Sequence, residues 1–179
     1  MKQEQLTFRQ KHADLKQSLA QIKNNRHPVA LLCDHLTDPA NLGILFRLAD
    51  AARLQEIIFF NEPDFEITPK INRISRQTIQ YVPHRIFHDF DAIKKLKNNY
   101  EIIALEYTNQ SILYTEYRSK RPILLILGNE QAGVSDQLLA LSDKSIHLPM
   151  HGINSSMNVS MAAGIAAFHL IKNVELSTL

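Results

Sequence analysis

Three polar clusters interrupt an otherwise apolar frame, and each has residue types that could do chemistry. The first is Asp38-Pro39-Ala40-Asn41-Leu42-Gly43, followed by Arg47. Aspartate at an N-cap and proline at the first helical position start a helix. Its first turn, which holds Asn41, leaves backbone N–H groups unpaired. Such a start, with a guanidinium under two turns away and Gly43 clearing the face between, suits a phosphate or carboxylate. Ordinary roles stay open: Asn41 can support the cap, and Arg47 can pair with Asp50 at i+3. The second cluster, Gly128-Asn129-Glu130-Gln131-Ala132-Gly133, follows an apolar run directly. If that run is a parallel strand, the turn sits where α/β proteins place ligands. The third runs from Leu148 to Asn158. Its Ser155 or Ser156 can cap the helix that follows, which leaves Asn158 without a structural explanation.

The elements that must position these clusters follow from periodicity and turn chemistry. Short apolar runs predict strands at Val29–Cys33, Glu56–Phe60, Arg85–Phe87, Glu101–Leu105, Ile123–Leu127 and Ile146–Leu148. Helices are predicted over 39–53, 67–80 (basic), 89–98 with Asp89 as cap, 134–141 and 157–172. Strands alternating with helices imply a mostly parallel sheet covered on both faces. Residues 3–24 carry a sparse apolar stripe among helix formers and read as an arm. The division expected is a basic helical arm over 1–27, one domain over 28–174 and a tail over 175–179. In the last helix, Val159, Ala162, Ala163, Ala166 and Leu170 form one apolar stripe, and Met157, Met161, Ile165 and Phe168 another. A helix apolar nearly all round is buried on several sides. A second subunit is the expected cover.

Composition removes several classes. The chain has 179 residues, 45% apolar and 21% charged, with five glycines. Those glycines spell no GxGxxG, no P-loop and no GxSxG elbow, which argues against dinucleotide dehydrogenases, P-loop enzymes and typical serine hydrolases. The single cysteine, Cys33, lies in an apolar run and reads as core filler. With a polar N-terminus lacking a signal-type core, this suits a reducing, cytoplasmic setting. No apolar run approaches the roughly 20 residues of a membrane span. The spacings His84-x3-His88 and His147-x3-His151 imply no third ligand, so no metal is expected. His169 reads as a core or interface residue.

Charge is uneven although the net is only +2. Lys2, Arg9, Lys11, Lys16, Lys23 and Arg26 face only Glu4 and Asp14 in the first 27 residues, and residues 70–97 are again basic, with Arg73 and Arg76 among them. Two basic stretches on a near-neutral body suggest a polyanion partner. Taken alone, either is also an ordinary solvated face.

Together the clusters resemble the three motifs of the SpoU–TrmH branch of the SPOUT RNA methyltransferases. DPANLGILFRLADA (38–51), ILLILGNEQAGVS (123–135) and IHLPMHGINSSMNVSMAAGIAAF (146–168) stand in the family's order. The resemblance covers about residues 28–172. It implies an α/β domain whose C-terminal part threads a deep trefoil knot, a homodimer, S-adenosylmethionine as cofactor, and methylation of a ribose 2′-hydroxyl in tRNA or rRNA, with guanosine in tRNA as first guess. It implies Arg47 as catalytic arginine, Asn41 positioning substrate, Glu130 organising the motif around Arg47, and Ser156 and Asn158 completing the site. Cofactor contacts would come from the backbone of Leu105, Gly128, Leu148 and Met157, with Met150 as an apolar wall. Arg9, Lys11, Lys16, Arg73 and Arg76 are the RNA-binding candidates. Many relatives carry leucine at Met157, and the N-terminal arm is idiosyncratic. The competing readings are a catalytically silent RNA-binding protein of the same fold and a base methyltransferase of the wider class.

Overall fold

The computed structural model describes residues 25–174. The arm over 3–24, including Arg9, Lys11 and Lys16, and the tail over 175–179 lie outside the described residues. Seven strands form one sheet: β1 (Val29–Asp34), β2 (Ile57–Phe60), β3 (His84–Phe87), β4 (Glu101–Leu105), β5 (Ile112–Leu113), β6 (Ile123–Leu127) and β7 (Lys144–His147). Their order is β3-β2-β1-β6-β4-β7-β5. Every pairing is parallel, a stronger result than the mostly parallel sheet expected.

β1 and β6 lie at the centre and are buried along their whole length. This is why they read as continuous apolar runs rather than alternating ones. Alternate residues serve two cores. Leu31, Cys33, Leu125 and Leu127 join one with α1 (Pro39–Ala51), α2 (Pro69–Ile74) and α5 (Val159–Asn173). Leu32, Leu124 and Ile126 join the other with α3 (Phe90–Lys95) and α4 (Asp136–Leu141). Cys33 is fully buried, and burial pushes its thiol well above the ordinary range. The sheet edges are the half-exposed β3 and the two-residue β5. Short edge strands offer little template for further pairing.

Several predicted boundaries move. α1 stops at Ala51 rather than 53 because Arg53 turns left-handed, φ 46°. The Arg53 N–H then reaches the Asp50 carbonyl, and the Leu54 N–H that of Ala49. α2 is a single short helix, not one running 67–80. Arg76, φ 52°, breaks it, with its N–H on the Arg73 carbonyl and the Gln77 N–H on that of Asn72. Both are Schellman ends with arginine where glycine is usual. A 3-10 turn at Thr78–Gln80 follows. β7 ends at His147, not Leu148, and α4 begins at Asp136, not 134. Residues 107–120 hold β5 and a 3-10 turn at Tyr114–Glu116, neither predicted.

Candidate active site

The sheet order reverses direction between β1 and β6. Loops leaving the carboxyl ends of such neighbours diverge and open a crevice. Here the loop after β1 leads to α1 on one face, and the loop after β6 leads to α4 on the other. The three polar clusters converge on this end of the sheet.

Asn41 joins them. It lies in the first turn of α1, only 3% exposed. Its Nδ2 donates to Glu130 Oε1 at 2.9 Å. Its Oδ1 accepts from Asn158 Nδ2 at 2.9 Å and from Ser160 Oγ at 3.5 Å. Both ends of one buried amide are therefore satisfied by partners about 90 to 120 residues away in sequence. An amide has a distinct donor and acceptor end, so the contact also fixes which neighbour sits where.

Asn158, not Ser155 or Ser156, caps α5. Its Oδ1 accepts from the Ser160 N–H at 3.0 Å and the Met161 N–H at 3.3 Å, and from Ser160 Oγ at 2.6 Å. Glu130 meets Asn41 rather than Arg47. Arg47 is exposed on α1 and has no ion pair or side-chain hydrogen bond among the described residues, so the pair with Asp50 does not form. Gly43 does not clear the face between Asn41 and Arg47. A Cβ there would fall 2.6 Å from Ile74, so the glycine admits α2 against α1. That contact brings the end of α2, with exposed Arg73 and Arg76, beside the first turns of α1.

The loop after β6 is held from several sides. Asn129 Nδ2 donates to the His35 carbonyl at 2.8 Å, and its Oδ1 accepts from the Gln131 and Ala132 N–H groups. Asn129 and Gly133 exchange backbone hydrogen bonds at 2.9 Å. The buried Asp34 carboxylate, at the end of β1, accepts from the Ser135 N–H at 2.7 Å and holds His35 Nδ1 at 2.7 Å. Glu106, just past β4, accepts from the Val134 N–H at 3.0 Å and from the Tyr107 N–H at 3.0 Å. A Cβ on Gly128 would collide with Gly133 and Val134 at 2.3 Å, so only glycine fits that turn.

Between this loop and residues 148–158 lies a cleft of about 1310 Å³. Leu105, Gly128, Leu148, Met150 and Met157, the five predicted cofactor residues, all line it, as do Glu130, Ser156 and Asn158. Arg47 and Asn41 do not line it. Its walls are mixed: Leu105, Leu139, Leu148, Met150 and Met157 are apolar, Glu106, Glu130 and Asp136 are acidic, and among the described residues no lysine or arginine contributes. Sequence reasoning missed Asp34, Glu106 and Ser160. Only the position of Asp34 and Glu106 at strand ends could have flagged them.

His84, His88 and His147 each hold a nearby oxygen through Nδ1, on Val82, Asn61 and Ser111 respectively. His169 is half-buried, edge-on to Tyr114 and beside Arg118 and Asn173. Burial and then the neighbouring Arg118 and Lys172 charges lower its pKa. No group of three metal-type ligands occurs among the described residues.

The profile of the SpoU rRNA methylase family matches residues 28–168, which include every described element of this site up to the middle of α5. The chain belongs to that family. Among curated SpoU relatives, it is 32% identical over 153 residues to the 23S rRNA (guanosine-2′-O-)-methyltransferase RlmB of Blochmanniella floridana, covering 84% of this chain and 59% of that protein. It is 30% identical over 164 residues to a putative TrmH family tRNA/rRNA methyltransferase of Staphylococcus saprophyticus, covering 90% and 66%. The chain thus spans about three fifths to two thirds of these relatives' length. A TrmH/SpoU tRNA modifying enzyme of A. aeolicus superposes with TM-score 0.77 at 22% identity, covering 89% of this chain and 83% of that one. An AdoMet-bound rRNA methyltransferase of Sinorhizobium meliloti superposes with TM-score 0.74 at 25% identity, covering 83% and 58%. The likeness bears out the SPOUT-type α/β fold.

Proposed function

We propose that the protein transfers a methyl group from S-adenosylmethionine to a ribose 2′-hydroxyl of tRNA or rRNA. The observation that carries the reading is the amide of Asn41. It binds Glu130 and Asn158, and so draws all three family motifs to the mouth of one cleft, while Arg47 on the same helix remains exposed. A guanosine in tRNA is the first substrate to try. The 23S rRNA guanosine in the names of relatives makes ribosomal RNA the second.

The cleft suits the donor by its chemistry. Apolar side chains flank one region, backbone of the Gly128–Val134 turn another, and the acidic Glu106, Glu130 and Asp136 line it without a lysine or arginine among the described residues. A molecule with a flat base, a ribose and a net positive charge meets each of these. Leu105, Gly128, Leu148, Met150 and Met157 would hold it; bound there, the donor supplies a methyl group on a cationic sulfur. Transfer to oxygen neutralises that charge and needs no metal.

The chain must align a hydroxyl and relieve it of a proton. A guanidinium carries only donors and no acceptor, so Arg47 is a poor base. Its planar fork orients the ribose hydroxyl and grips the adjacent phosphate. Asn41 and Glu130 set the helix start from which Arg47 projects, and Ser156 and Asn158 border the same opening. Arg73 and Arg76, and the arm with Arg9, Lys11 and Lys16, supply phosphate contacts, so RNA affinity falls with salt.

The working unit in this reading is a homodimer with the threaded C-terminal segment that the family resemblance implies. Met161, Ile165 and Phe168 on the outer stripe of α5, and Ile44 on α1, are exposed, Met161 to 61%. α1 and α5 pack together where Gly164 faces Leu48, so these side chains form a shared apolar face that a second copy would bury. No described helix is long and apolar enough to cross a membrane.

The test is transfer of labelled methyl from S-adenosylmethionine into tRNA and rRNA, followed by nuclease digestion and mass analysis. Label on ribose is the expected result. Label on a base favours the wider class, and binding of RNA without transfer favours a silent relative.

A further inference from the structure

Glu106 is a carboxylate whose position the site described so far does not use. It stands at the carboxyl end of the parallel strand β4, half-buried, on the wall of the cleft. Each of its oxygens accepts one backbone N–H, Oε1 from Tyr107 and Oε2 from Val134. A carboxylate offers about four acceptor positions, so each oxygen retains one. Among the described residues no cation pairs with it: Glu106 forms no ion pair there, and no described lysine or arginine lines the cleft. Space is kept for it by Gly133, whose φ is +72° and whose replacement by any side chain would put a Cβ 2.7 Å from Oε2. The two N–H bonds also aim it, because they tie one carboxylate to both loops that leave β4 and β6. A fixed carboxylate at a strand end, with one free acceptor on each oxygen, matches a pair of adjacent hydroxyl donors. Acidic side chains at such strand ends take ribose hydroxyls in other α/β folds.

We propose that Glu106 is a cofactor-binding residue that accepts hydrogen bonds from the ribose hydroxyls of the nucleoside part of the methyl donor. This rests on the reading of the cleft as the donor site and adds a side-chain contact to the backbone contacts that the family resemblance implies. The competing role for Glu106 is a brace that merely fixes the two loops. A brace would affect every ligand of the cleft alike, whereas a hydroxyl acceptor distinguishes ligands by their hydroxyls.

The experiment is calorimetric titration of wild type, Glu106→Gln and Glu106→Ala with S-adenosylmethionine and with its 2′-deoxy and 3′-deoxy analogues. Thermal melts without ligand check that the variants fold. For wild type, removing a contacted hydroxyl should weaken binding on the order of tenfold or more, as for hydrogen bonds to charged groups. In Glu106→Ala the same removal should matter less than about twofold, because the partner is already gone. Glu106→Gln keeps one acceptor oxygen in place of two and should fall between. Equal deoxy penalties in wild type and Glu106→Ala would overturn the assignment while leaving the cleft as the donor site. Failure of folded wild type to bind the donor at all would overturn both.

Discussion

The cleft has two walls built on opposite plans. Residues 128–135 are tied down by Asn129 to His35, by Asp34 to Ser135 and by Glu106 to Val134, and they close on themselves through Asn129 and Gly133. Residues 149–158 are exposed throughout. Their side chains have no hydrogen bond among the described residues until Asn158, which meets Asn41 and caps α5. The same contrast recurs on α1. Asn41 is buried and satisfied at both ends, whereas Arg47 is exposed and without partners among the described residues. The lesson is that the protein itself completes the frame, whereas the groups proposed to meet RNA, donor and second subunit wait for those molecules to supply their surroundings.

The contrast can be broken first at Arg47. Replacing it with alanine or lysine should lower turnover on the order of a hundredfold, because a displaced orienting group costs about that much and lysine lacks the planar fork. Donor affinity measured by calorimetry should stay within about twofold, since Arg47 does not line the cleft. Asn41→Ala should act on both stability and rate. It removes the hydrogen bonds to Glu130, Asn158 and Ser160 together, a loss of about 1–3 kcal/mol in a denaturant titration, and turnover should fall with it.

Asp34→Ala tests the tied wall. The half-buried Ser135 N–H and the His35 ring would lose their acceptor, which should again cost about 1–3 kcal/mol, whereas Ser155→Ala on the exposed wall should leave the melt unchanged. Hydrogen exchange sharpens the same contrast: amides of 129–135 should be protected in the free protein, and those of 149–157 should exchange rapidly and slow when donor is added. A small effect of the opposite sign is expected at Arg53→Gly. Relief of a left-handed, non-glycine residue should stabilise by about 1 kcal/mol, or roughly 2–4 °C in melting temperature.

Much of the frame was legible because buried parallel strands leave an unmistakable trace. Val29–Cys33 and Ile123–Leu127 have apolar residues facing both cores, and Asp38-Pro39 combines two helix-start signals at adjacent positions. The three motifs located the cleft for the same reason: they stand at strand and helix ends. What was not legible depends on contacts between distant segments. Ser155, Ser156 and Asn158 all offer cap chemistry, and only the link to Asn41 selects Asn158. The ends of α1 and α2 carry Arg53 and Arg76 in conformations that a reader expects glycine to mark. Gly43 gave a correct sign of close approach but not its direction, since α2 and not a ligand occupies the space. Glu130 could be placed near Arg47 by motif alone, and only the fold shows its carboxylate turned to Asn41.

The most direct measurement is the chemical form of the product. Folded protein is incubated with labelled S-adenosylmethionine and unmodified RNA, and the digested nucleosides are weighed. The account predicts one added methyl on the sugar fragment, lost in Arg47→Ala. Unmethylated RNA, or a methyl confined to the base fragment, would contradict it.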